Sequence, residues 1–342
     1  MDFSSDNSYG ALPEMLEALT RANAGAEPSY GDDPVTNRMQ ARMSAFFGRE
    51  VAAFPVATGT AANALALATL CPPHGAIFCH AESHVAVDEC GAAEFFSHGG
   101  QLVRLEGACG KLTPAAIEAA LPNFQRGVQG AKPAVISITQ ASESGTVYRP
   151  DEIAAIARLA HREGMKMHMD GARFFNALVH LGCAPADIGW KAGIDVLSFG
   201  ASKNGALAAE AVVFFDPGAA ADFEYRRKKG GHLIAKMRFV SAQIDAMLEN
   251  DRWRAPAARA NALAAKLAEG LRQISGAEIV CPVEANAVFV RLPSETVDRL
   301  RAAGGKFYDW APPREGRTLI RLVCSFATPE SDIGKFLDAA RP

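Results

Sequence analysis

One lysine stands in an unusual setting. Val196-Leu197-Ser198-Phe199-Gly200-Ala201-Ser202-Lys203 runs from a buried-strand pattern into a turn of small residues, with no acidic residue beside the lysine. Out of water, such a lysine sheds its proton more readily and becomes a nucleophilic amine. Upstream, His168-Met169-Asp170-Gly171-Ala172-Arg173 sets a carboxylate and a guanidinium at the end of another strand pattern. Thr58-Gly59-Thr60-Ala61-Ala62-Asn63 opens an apolar helix with a glycine-bearing turn, whose N–H groups and positive dipole end suit a phosphate. Glu82-Ser83-His84 and Gln140 also follow strand patterns. A primary amine, a carboxylate, an arginine, an imidazole and a phosphate turn answer what pyridoxal 5′-phosphate (PLP) needs from a protein. On this reading Lys203 anchors the cofactor as a Schiff base, and Asp170 pairs with the ring nitrogen. His84 covers the ring, Arg173 hydrogen-bonds the phenolic oxygen, and the turn at Gly59 and Thr60 takes the phosphate. Gln140 is counted with them from its place at a strand end.

These side chains meet only if strands and helices alternate around one sheet. Strand patterns fall at 51–56, 76–79, 101–105, 134–139, 165–169, 194–199 and 209–215. Helical patterns lie between them: 85–94, 113–121, 151–163 and 174–181, preceded by 12–24 and by a helix opened by Asp33-Pro34 and closed by Gly48. The link from 194–199 to 209–215 is too short for a parallel crossover, so that strand is expected antiparallel. The fold class expected is α/β, a mostly parallel seven-stranded sheet with helices on both faces. Ligands of such sheets lie beyond the carboxyl ends of the strands, where all the residues above fall. Helices over 222–250 and 255–274 follow, then strands at 278–281, 287–291 and 318–323 with helices near 294–303 and 329–340. These predict a small C-terminal α+β domain over 255–342, after a large domain over 12–254 and an extended segment over 1–11.

Composition narrows the function classes. With 342 residues, 49% hydrophobic, and a net charge of −3, the chain has no electrostatic footprint for nucleic acid or an anionic membrane. The basic run Arg226-Arg227-Lys228-Lys229 reads as a solvated helix end or, alternatively, a phosphate contact. His80, Glu82 and His84 invite a metal, but there is no H-E-x-x-H, and no metal is expected. No G-x-G-x-x-G supports a dinucleotide enzyme and no G-x-S-x-G a serine hydrolase. Seven scattered cysteines without C-x-x-C argue for a reducing compartment and against a disulfide framework. A polar, acidic start and the lack of a long apolar run point to a cytoplasmic protein.

Several blocks are also familiar together. Ser5-Asp6, Tyr30-Gly31-Asp32-Asp33-Pro34, the 58–63 turn, Glu82-Ser83-His84, His168 to Arg173, Phe175-Asn176-Ala177, Ser202-Lys203 and Ile320-Arg321-Leu322-Val323 span nearly the whole chain. The sequence resembles the low-specificity L-threonine aldolases, within the β-eliminating lyase group of fold-type I PLP enzymes. Two departures are local: Ser4 stands where many members have arginine, and Thr139 to Ser144 lacks a histidine that many carry. The resemblance implies a PLP-dependent transferase-like large domain and reversible cleavage of an L-β-hydroxy-α-amino acid to glycine and an aldehyde. It implies Lys203, His84 and Asp170 as catalytic residues, with Thr58, Gly59, Thr60, Gln140, Arg173 and Ser202 also at the cofactor. Ser5, Tyr30, Arg173 and Arg321 would bind substrate, Ser5 from the N-terminal segment. His84, or a water it holds, would take the β-hydroxyl proton. A homodimer or homotetramer with shared sites is expected, Tyr30 and the 226–238 stretch crossing between subunits. Another PLP reaction (β-elimination, transamination or racemisation) is the alternative.

Overall fold

The computed structural model describes residues 1–124 and 126–341. Its larger sheet has seven strands: β1 (Ala52–Val56), β2 (Gly75–His80), β3 (Gln101–Leu105), β4 (Lys132–Thr139), β5 (Lys166–Gly171), β6 (Val196–Gly200) and β7 (Glu210–Phe214). Their order is β1-β7-β6-β5-β4-β2-β3. Every pairing among β6, β5, β4, β2 and β3 is parallel, and β7 runs antiparallel to both neighbours, as its short connection predicted. Strands β2, β6 and β7 are buried along their whole length, so they read as continuous runs rather than alternating ones.

Helices α1 (Pro13–Ala22) and α2 (Pro34–Phe47) cover one face. The ends of α2 follow from local chemistry. The Asp33 carboxylate accepts the Thr36 N–H at 2.8 Å, Pro34 opens the first turn, and Gly48 closes it at φ +65°. Such a cap stabilises a helix by about 1 kcal/mol. Helix α3 (Gly59–Leu70) is buried on all sides from Ala61 to Ala68, packed between the sheet and the residues near Phe223. Its alanines allow that close approach.

The smaller sheet is antiparallel, in the order β10-β11-β9-β8, with β8 (Glu278–Ile279), β9 (Ala287–Pro293), β10 (Tyr308–Arg314) and β11 (Arg317–Val323). It packs under helices Arg254–Arg272 and Glu330–Ala340 around Leu267, Val290, Ile320 and Phe336. The N-terminal segment joins this body: Phe3 is fully buried there, its N–H bonds Lys306 O, and its carbonyl takes the Val323 N–H.

Four expectations are corrected. The helix expected over 222–250 is two, Phe223–Lys229 and Arg238–Leu248, because Gly230-Gly231 interrupts it, Gly231 at φ +79°. The helix expected over 85–94 is likewise split, at Cys90 and Gly91, both with positive φ. Strand β10 was not foreseen; its Pro312 and Pro313 lie on the sheet edge at a break in the pairing with β11, between Ala311 and Arg314, where no ladder donor is needed. Finally, Cys109 and Cys281 form a disulfide across 172 positions, a pairing that sequence spacing does not reveal. Among the described residues no helix is long and apolar enough to cross a membrane.

Candidate active site

Two adjoining compartments open where β4, β5 and β6 end, and share Asn7, His84, Asp170, Ala172 and Lys203. The inner one is also lined by Gly59, Thr60, Ser198, Gly200, Ser202 and Glu210. The outer one reaches Ser5, Glu143, Arg173, Trp310 and Arg321.

Lys203 follows β6 on a short 3₁₀ turn, with no acceptor in hydrogen-bonding range of Nζ among the described residues. Burial, then the nearby Arg173 charge, pull its pKa down, which favours the neutral amine. The approach of its strand to the Asp170 loop is close: a Cβ on Gly200 would lie 2.7 Å from the Ala172 Cα, so only glycine fits. Glu210 closes the floor. Its Oε2 accepts the Ala201 N–H at 3.0 Å, and burial pushes its carboxyl up to about 7.

Asp170 is held by two donors, the Ala172 N–H on Oδ1 at 2.9 Å and Asn63 Nδ2 on Oδ2 at 2.8 Å. Asn63 gives its other amide hydrogen to Glu89 Oε1, also at 2.8 Å. Glu89 Oε1 in turn accepts His84 Nδ1 at 2.8 Å. That acceptor fixes the His84 proton on Nδ1 and leaves Nε2 as the lone-pair nitrogen. The same hydrogen bond raises the His84 pKa. A single amide thus couples the imidazole's partner to the carboxylate at the end of β5.

At the start of α3 the Thr58 hydroxyl accepts the Ala61 N–H and the Thr58 carbonyl accepts that of Ala62. Among the described residues nothing accepts from Gly59 or Thr60, whose N–H groups remain for a ligand. Arg173 is bound in a fork by Asp6, Nε to Oδ2 at 2.8 Å and Nη2 to Oδ1 at 3.0 Å. Asn286 donates to the same Asp6 Oδ2 at 2.9 Å. Arg321 lies between the rings of Tyr308 and Trp310, 5.5 and 5.1 Å from their centroids. Its Nη2 donates to Ser4 O at 3.3 Å, while its Nε is buried without a partner. A stacked guanidinium with an uncommitted face suits a carboxylate.

Most of the residues singled out from sequence therefore converge: Ser5, Gly59, Thr60, His84, Asp170, Arg173, Ser202, Lys203 and Arg321. Three do not. Gln140 is fully buried, and both ends of its amide serve the backbone of Tyr148, Oε1 at 2.9 Å and Nε2 at 2.8 Å. A strand-end position does not say whether a side chain faces the cavity or pins the next loop, and here it pins the loop. The Thr58 side chain caps α3 and lines neither compartment. Tyr30 is half exposed beneath Lys228, outside both compartments of its own chain. Sequence reasoning passed over Asp6, Glu89, Glu143, Trp310 and Asn286. Only Asp6 carried a local signal, as the acidic neighbour of Ser5.

The set fits pyridoxal phosphate on its own chemistry: an unpartnered, half-buried amine, free N–H groups at a helix start, and a carboxylate held as an acceptor between them.

The chain matches the family described as β-eliminating lyase over residues 2–294. It is 44% identical to the low specificity L-threonine aldolase of Pseudomonas aeruginosa, covering 99% of this chain and 96% of that one. To the low specificity L-threonine aldolase of Saccharomyces cerevisiae it is 26% identical, over 87% and 75%. A Leishmania major threonine aldolase structure superposes with a TM-score of 0.93 at 26% identity, covering 99% and 98%. An aspartate aminotransferase from Rhodobacter sphaeroides shares the fold, with a TM-score of 0.70 at 21% identity over 100% and 90%.

Proposed function

We infer that this chain, which belongs to the β-eliminating lyase family, cleaves L-threonine, L-allo-threonine and related L-β-hydroxy-α-amino acids, phenylserine among them, to glycine and an aldehyde by a PLP-dependent retro-aldol reaction. The observation that carries this reading is the pairing of compartments. One holds Lys203 and Asp170 beside the free start of α3, and the other is closed by Arg321 and Ser5. When bound, PLP supplies a covalent hold on the amino nitrogen and a sink for the electron pair left at Cα as the Cα–Cβ bond breaks.

The chain's own residues do the rest. Lys203 presents a neutral amine at the junction of the compartments and anchors the cofactor, with Ser202 beside it. Asp170 would hold a proton on the ring nitrogen of the bound cofactor, and the N–H groups of Gly59 and Thr60 would bind its phosphate. His84 covers the ring. Arg321 and Ser5 would grip the substrate carboxylate and so fix the orientation of the Cα–Cβ bond. Arg173, already tied to Asp6, places one guanidinium face at the boundary of cofactor and substrate. His84 Nε2 takes the β-hydroxyl proton. Residues 1–11 thus serve a site built by a large domain (12–254) and a small one (255–342).

The direct test incubates purified protein and PLP with L-threonine, L-allo-threonine and L-phenylserine. Glycine and the matching aldehyde are expected, whereas pyruvate and ammonia would refute the assignment. Arg321→Gln removes the charged fork and should raise KM for L-threonine far more than it lowers kcat. The loss in kcat/KM should be about 10- to 100-fold, the worth of a charge-assisted hydrogen bond. An unchanged KM would place the carboxylate elsewhere.

His84 works as a base only when neutral, and its pKa is raised by Glu89. Cleavage should therefore fall as pH drops through a value above the ordinary 6.5 of histidine. Glu89→Gln keeps an acceptor but loses the charge, and should move this acidic limb to lower pH. A limb that stays put would show that another group titrates.

We further read the working form as a homodimer or homotetramer with shared sites. Tyr30 lies outside its own compartments, and Phe95 and Tyr225 line an apolar groove while each is more than three-quarters exposed. A fully active, concentration-independent monomer in sedimentation experiments would rule this out.

A further inference from the structure

Asn63 has no part in the roles above, but two carboxylates of the site share it. Its Nδ2 gives one hydrogen to Asp170 Oδ2 and the other to Glu89 Oε1, both at 2.8 Å. Its Oδ1 is buried and, among the described residues, has no partner. Turning the amide over would set that oxygen against both carboxylates. The unpaired carbonyl thus marks an orientation chosen for the two acids, at the expense of its own hydrogen bond. Asn63 sits on α3 between Ala62 and Ala64, all three buried, so the helix fixes where the amide stands.

Two carboxylates gathered on one nitrogen repel each other. Without a donor between them, so close a pair takes up a proton and shares one charge. Here each acid has its own task. Glu89 accepts His84 Nδ1–H at 2.8 Å, while Asp170 faces the inner compartment. The oxygen that would take the proton can be named. Asp170 has a second donor, the Ala172 N–H on Oδ1, whereas Glu89 Oε2 is buried with none. Burial pushes the Glu89 pKa up, and the hydrogen bonds from His84 and Asn63 oppose that rise. The other titratable groups that feel the Asp170 charge are Lys203, Arg173, Glu143 and Glu210. Among the described residues, only His84 and Asn63 donate to the Glu89 carboxylate.

Resting on the aldolase reading, we propose that Asn63 is a positioning residue: by bridging Glu89 and Asp170 it keeps both ionised, so that the base and the ring-nitrogen partner hold their charges at the same time. When His84 Nε2 receives a proton, the imidazolium then forms against an anionic Glu89. Without the bridge it forms against a neutral acid, and His84 becomes the weaker base. Asp170 keeps its charge in either case, through the Ala172 N–H. The effect of Asn63 therefore reaches the reaction through His84.

The test follows the His84 titration in the full-length protein, with and without PLP, by NMR of labelled histidine, beside the pH profile of L-threonine cleavage. Asn63→Leu keeps the branching of the side chain and removes both donors. The His84 titration should move about one unit to lower pH, the scale of a lost neighbouring charge, and the acidic limb of cleavage should move with it. In a Glu89→Gln background only one carboxylate remains, so Asn63→Leu should add no further shift. Asn63→Val, shorter than leucine, repeats the measurement if the longer side chain does not pack. A His84 titration that stays put in both apolar variants overturns the proposal, as does an equal shift in the Glu89→Gln background. Failure of the aldolase reading would appear differently, as a wild-type protein that releases no aldehyde while its His84 titration still responds to Asn63→Leu. That result would remove the catalytic purpose of the bridge, and the proposal with it.

Discussion

Lys203→Ala is expected to abolish turnover, lowering kcat for L-threonine cleavage on the order of 10⁴-fold or more, the scale seen when a nucleophile is removed. Among the described residues no other lysine lines either compartment. Its amine has no competing ion pair, and burial holds it toward the neutral form. Alanine leaves the backbone bonds of the surrounding 3₁₀ turn intact, because it changes only the side chain. The variant should fold, lose the visible absorbance of covalently held cofactor, and regain a little activity with added methylamine. A rate within tenfold of the wild type would mean that a different group holds the cofactor.

Asp170→Asn should be the next most damaging single change, and it should act twice. Both Asp170 oxygens accept hydrogen bonds, one from the Ala172 N–H and one from Asn63. An asparagine must turn its NH₂ toward one of these donors, leaving two donors facing each other. That costs about 1–3 kcal/mol of stability. It also removes the negative charge opposite the ring nitrogen, which should lower kcat on the order of 10²- to 10³-fold, the scale of a lost electrostatic partner in a buried site. Urea unfolding and steady-state kinetics would measure the two effects separately. A stable variant with near-wild-type kcat would show that the Asp170 charge is not used.

How much of this could be read from residues alone depended on distance along the chain. The limits of α2 were legible because Asp33, Pro34 and Gly48 act within one turn of the ends they set. The reversed direction of β7 was legible because a short link admits no crossover. Lys203, Asp170 and His84 were legible as a group because each closes a strand of one sheet. Edge strand β10 was hidden by its prolines, and with it went the Tyr308 and Trp310 rings that clasp Arg321. Asp6 and Arg173 lie 167 positions apart, and Glu89 reaches Asp170 only through Asn63, so no local pattern announces either link. The Gln140 assignment went astray for the converse reason. Its position was right for a ligand contact, but the turn after β4 required both ends of its amide.

The threading of the N-terminal segment under β11 has a consequence for biosynthesis. Ser4 and Arg321, which touch in the finished site, are 317 positions apart. At ribosomal rates of about 5–20 residues per second, roughly 15–60 s separate their emergence. The inner compartment draws on no residue beyond Glu210, whereas the outer one waits for Ala287, Trp310, Arg321 and Val323. A nascent chain can therefore assemble its cofactor side, Asn7 excepted, well before its substrate side. Through that interval Phe3, fully buried at the end, has no pocket to enter, because its surroundings come from residues 263–340. The N-terminal segment is thus locked in place only after residues 263–340 have emerged, and the substrate side of the site becomes complete no earlier than that.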